Sequence, residues 1–210
     1  ILNSSCSAMR FGGTNAYIER CRMYGPGKYC FRGSLTKKEK AASAPSALEG
    51  HRSNMLSIFT YYSDYSMPIP VTPGNIIIAD CVFENADRFL HFNFSGNETW
   101  QRYRPLNSIE FRNITATAIR MPINLYGKEG EEVSLTLQNV DITLNEIMNE
   151  QSLIHAGHFK RVTLDNVNIN GRLSCIVKKW SEGNIILNNV KCDAETTVKK
   201  ADTYFFAHKV

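Results

Sequence analysis

Six segments of this chain share one pattern: AYIERCRM from Ala16, IIIADCVF from Ile76, IEFRNITA from Ile109, LTLQNVDI from Leu135, VTLDNVNI from Val162 and IILNNVKC from Ile185. In each, alternating apolar residues lead to a polar residue (Arg20, Asp80, Asn113, Asn139, Asn166, Asn189). A small or β-branched apolar one follows (Cys21, Cys81, Ile114, Val140, Val167, Val190). The alternation has the period of a strand and excludes a helix. From Cys81 onward the repeats fall 33, 26, 27 and 23 residues apart, the length of one turn of a parallel β-solenoid with three short strands and three bends. Such a unit buries its apolar face only by stacking on its own copies. Period-2 alternation lines up Ile78, Phe111, Leu137, Leu164 and Leu187 from rung to rung, and the residue after the polar one forms a second internal file. An Asn repeated at a bend can bond its amide to the Asn of the next rung, which pins the register.

A second strand is expected after each repeat: KYCFRG at Lys28, DRFLHFNF at Asp87, MPINLYG at Met121, SLIHAGHF at Ser152 and LSCIVKKW at Leu173. The 60 residues from Cys21 to Cys81 exceed one rung. They are read as one extra rung, including the strand MLSIFTYY, plus a polar excursion at about 34–54. Residues 1–210 are expected to form one domain. The chain has neither a starting Met nor a signal-peptide pattern, and is read as a piece of a longer protein.

The net charge of +4 is too mild, and its Lys and Arg too scattered, to indicate nucleic acid. No apolar run reaches the length of a membrane span. The six cysteines show no metal-binding spacing, so no metal site or cofactor is expected, and buried free thiols are preferred to disulfides.

The stretch DCVFENADRFLHFN, Asp80–Asn93, resembles the NCxFxGTDRGxRIK motif of the polygalacturonase-like glycoside hydrolases, and GHRSNMLSIFT from Gly50 is similar to their GHGxSIGS. The resemblance implies an all-β fold, a single-stranded right-handed parallel β-helix of about 7–8 rungs. It also implies a substrate cleft on the strand after the Asn/Cys bend, an acidic polysaccharide such as polygalacturonan or rhamnogalacturonan as ligand, and a secreted or periplasmic location. Asp87 and Arg88 match the family's Asp-Arg pair, His91 and Asn93 fall where it binds substrate, and His51 falls near its site histidine. The chain departs from the family where RCRMYGPGKYCFRGS, Arg20–Ser34, meets NCxIxxGDDxIxxKS: the paired aspartates fall on Gly27 and Lys28.

Asp87 and His51 are accordingly the candidate catalytic residues, and Arg10, Arg32, Arg52, Arg88, His91 and Asn93 the candidate substrate-binding ones. Ser57, Asn124, Tyr126 and His155 lie on or beside the same expected strand file, where cationic and amide groups would suit a chain of uronic acids. Asp64 and Glu98, near Tyr61, Tyr62, Tyr65, Trp100 and Tyr103, are alternative carboxylates. The expected activity is glycoside hydrolysis. The alternatives are a non-catalytic polysaccharide-binding or structural β-solenoid and, more weakly, a polysaccharide lyase.

Overall fold

Left-handed backbone at a single residue is what turns an extended chain through a sharp corner, and Asn and Asp tolerate it best among residues with a side chain. The computed structural model describes residues 7–25, 55–62, 74–93, 105–120, 122–148 and 151–202. In it, every repeated polar residue holds this conformation: Arg20, Asp80, Asn113, Asn139, Asn166 and Asn189 have φ between 49° and 55°. Among the described residues the architecture is all-β, without an α-helix. The only helical element among the described residues is the 3-10 turn Glu146–Met148.

The strands fall into two stacks. One holds β2 (Tyr17–Glu19) and β3 (Arg22–Tyr24), then β5 (Ile76–Glu84), β7 (Ser108–Ile119), β9 (Val133–Leu144), the first half of β11 (Phe159–Lys179) and the first half of β12 (Asn184–Lys200). Every ladder between them is parallel. The expected internal files are present: Ile78 pairs with Phe111, Phe111 with Leu137, Leu137 with Leu164 and Leu164 with Leu187. Cys81, Ile114, Val140, Val167 and Val190 form the second file in the same way. Both files are buried in the middle and half-buried at Leu187 and Val190, where β12 ends the stack of described strands.

The other stack comprises β1 (Ser7–Phe11), β4 (Met55–Tyr62) and β6 (Ala86–Asn93), with β6 packed against β8 (Ile123–Tyr126). Then come β10 (Ser152–Gly157) and the second halves of β11 and β12. The chain passes from one stack to the other within β11, at a bulge between Asn168 and Arg172. There Gly171 takes φ 135°, and an added Cβ would lie 2.8 Å from Leu144 Cβ. The parallel sheets curl around one apolar core that includes Phe59, Phe83, Phe89, Phe111 and Phe159.

The spacing misled in one place. Tyr17, Ile18 and Glu19 pair directly with Ile77, Ile78 and Ala79, so no extra rung separates these two segments. The long interval is a single repeat carrying insertions, which leave no mark on the periodicity of the strands around them. KYCFRG and the excursion at 34–54 lie outside the described residues. Of the cysteines, Cys81 and Cys175 are buried and free, while Cys21 and Cys192 are half-buried and free; Cys6 and Cys30 lie outside the described residues. Burial pushes the Cys81 thiol up to about 11, which suits packing rather than nucleophilic chemistry. No helix among the described residues is long and apolar enough to cross a membrane.

Candidate functional site

The second stack carries Arg10, Asp87, Arg88, His91 and Asn93 of the candidate residues. Arg10, Thr60 and His91 occupy one register position across β1, β4 and β6. On the neighbouring strands Asn124, His155, Lys178 and Lys199 occupy one register position across β8, β10, β11 and β12. In-register parallel strands lie about 4.8 Å apart, so the second file is a row of polar groups at that pitch. Alternation puts Ile123 and Leu125 into the core, fully buried, and leaves Asn124 half-exposed between them.

The candidates separate on closer inspection. Asp87 is fully buried and faces Arg120 across 3.7 Å, itself only 2% exposed. The backbone N–H of Arg120 also donates to the carbonyl of Asp87 at 3.2 Å. Arg88 is 7% exposed; burial pulls its guanidinium below the ordinary value while Asp87 and Tyr126 pull it back up. The buried Asp87 carboxylate thus faces the buried Arg120 guanidinium directly and also acts on that of Arg88. Ser57, opposite Arg88, is fully buried, with its Oγ 2.7 Å from Thr60 Oγ1. The strand β6 is buried without interruption from Ala86 to Leu90, so its half-exposed surface begins at His91.

Arg10 and Asn93 hold their strand positions on β1 and β6. His51, Arg32, Arg52, Asp64, Tyr65, Glu98, Trp100 and Tyr103 lie outside the described residues.

Beside the Asn124–His155–Lys178 row stands a cluster that the sequence reading did not assemble. Trp180 packs on Tyr126 with ring centroids 5.2 Å apart, and His155 meets it edge-on at 6.4 Å. The indole rests on Gly157, where an added Cβ would sit 2.1 Å from Trp180 Nε1. Tyr126 donates its hydroxyl to Asn124 Oδ1 at 3.3 Å. Burial, reinforced by the charges of Lys178 and Arg88, pushes the His155 imidazole down to about 4, so it is neutral at pH 7. Lys178 was legible: LSCIVKKW is the strand after the bend, and two rungs of register place Lys178 in line with Asn124. Arg120 was not, because it lies on the connection between strands, outside every periodic segment.

Inverting glycoside hydrolysis needs two carboxyl groups about 6.5–9.5 Å apart, one to protonate the leaving oxygen and one to activate water. Asp87 is sealed beneath the sheet and engaged by Arg120, the setting of a structural ion pair. Among the described residues no three His, Cys, Asp or Glu side chains converge as a metal site. Comparison with family models, with curated proteins and with solved structures found no match.

Proposed function

We propose that this protein is a carbohydrate-binding right-handed parallel β-helix of the polygalacturonase-like kind. In this reading it holds an acidic polysaccharide along the face of its second stack, in a secreted or periplasmic setting. The parallel ladders, the recurring left-handed bend and the internal files support the coiled fold, and the strong right-handed preference of crossovers between parallel strands supports its hand. The observation that carries the ligand class is the in-register row Asn124, His155, Lys178 and Lys199, with the buried Arg88 behind it. An extended polyanion laid across the rungs would meet amide, imidazole and ammonium groups in succession.

Binding is favoured over hydrolysis because Asp87, the best-matched carboxylate, is already committed to Arg120. Electrophoresis through gels containing polygalacturonan, rhamnogalacturonan or neutral galactan tests the reading, with reducing ends assayed in parallel. Retardation by an acidic polymer, weakened by salt and without new reducing ends, is expected. Unchanged migration in both acidic polymers overturns the reading, and release of reducing ends that disappears in Asp87→Asn replaces binding with hydrolysis.

A further inference from the structure

Most of the polar face offers single groups at rung intervals, but one place offers a ring platform and charge together. Trp180 packs on the buried Tyr126 ring, and its half-buried indole lies over Gly157 because that position has no side chain. The next register position holds Asn124, His155 and Lys178 in line. A half-buried indole bordered by amide and imidazole groups suits the mixed surface of a pyranose, whose C–H face is apolar and whose rim is hydroxylated. The charge balance narrows the sugar further. Arg88 is 7% exposed, its Nε has no hydrogen-bond partner among the described residues, and Asp87, whose charge acts on it, also faces Arg120.

Building on the polysaccharide-binding reading above, we infer that Trp180, Tyr126, Asn124, His155 and Lys178 form a subsite for one uronate unit. The pyranose ring stacks on Trp180, its hydroxyls meet Asn124 and the neutral imidazole of His155, and its carboxylate is drawn toward Lys178 and the buried positive charge of Arg88. A neutral imidazole can both donate and accept a hydrogen bond, which matches hydroxyl groups better than an imidazolium would.

The test is titration calorimetry with trigalacturonate and with its fully methyl-esterified form, which keeps the shape and loses the charge. The wild-type protein is expected to prefer the acid by about tenfold, as a charge-assisted contact gives. Lys178→Gln should cut that preference to about threefold or less, whereas Trp180→Phe should weaken both ligands several-fold and leave the preference intact. Thermal melts verify that the variants fold, and Lys178, being partly exposed, tolerates replacement. Unchanged affinities in both variants place the sugar elsewhere and overturn the subsite while the polysaccharide reading stands. A Trp180→Phe loss accompanied by an unaltered acid preference in Lys178→Gln overturns the uronate assignment. Failure of the wild-type protein to bind trigalacturonate removes the subsite, and failure to bind polygalacturonan and rhamnogalacturonan alike removes the reading beneath it as well.

Discussion

The bend from Asp80 to Asn189 and the face from Asn124 to Lys199 are both files of polar side chains stacked rung upon rung, yet they are built on opposite principles. At the bend the residue repeats: Asn189 donates to Asn166 at 2.8 Å, Asn166 to Asn139 at 2.9 Å, Asn139 to Asn113 at 3.0 Å and Asn113 to Asp80 at 2.8 Å. Asn166, Asn139 and Asn113 each give one bond and take one, and the row ends on the carboxylate of Asp80, which accepts. A shorter ladder of the same kind joins Asn75 to Asn15 at 3.0 Å. On the face, by contrast, amide, imidazole and ammonium succeed one another and satisfy no such mutual pattern. Repetition closes a file on itself, whereas a varied file has no such reciprocal bonding built into it.

If that contrast is right, replacements on the two sides should differ in kind as well as size. The largest loss is expected for Asp87→Ala, which strands Arg120 and Arg88 beneath the sheet and should cost about 3–5 kcal/mol in urea denaturation. Adding Arg120→Met should recover part of it, and no recovery would mean that Asp87 matters for some other reason. Next, Asn139→Ala breaks two ladder bonds and forces Ala into the left-handed region, for a loss of about 2–3 kcal/mol. Asn139→Gly breaks the same bonds without the backbone penalty, so the difference between the two melts separates ladder from bend.

A smaller effect concerns pH. The His155 imidazole has a folded value near 4, below its ordinary 6.5, so between those values the unfolded chain takes up a proton that the folded one refuses. Stability should therefore be indifferent to this group above pH 6.5 and fall as pH drops from there toward 4. Denaturation midpoints of His155→Gln should show a shallower fall over that window than the wild type; identical slopes would mean that His155 titrates normally. Smallest of all, Arg112→Ala removes a partly exposed ion pair with Glu110 on the outside of β7 and should change stability by about 0.5 kcal/mol or less.

The repeat made the bend readable residue by residue, since a position that needs left-handed backbone and a ladder partner accepts few residue types. Arg20 and Asp80 could be placed only because the four Asn defined the column they belong to. The candidate face was legible as a row but not as a site. His155 and Asn124 could be named from strand alternation and Lys178 from register, while Trp180 over Gly157 is a contact between an indole and the backbone of the adjacent strand that no spacing announces.

The sequence by itself determined the alternation, the interval and the bend residue, and with them strands that stack in parallel, because an apolar file recurring at a near-constant interval leaves water by stacking on its own copies. Only the tertiary structure decided which polar residues of the second stack face outward. Asp87 and Arg88 match a cleft motif by letter, but β6 is covered on both sides at their positions, and Arg120 arrives from the following connection to hold the carboxylate there. Burial belongs to a whole packed neighbourhood, and a one-dimensional pattern carries no record of what covers a strand from outside.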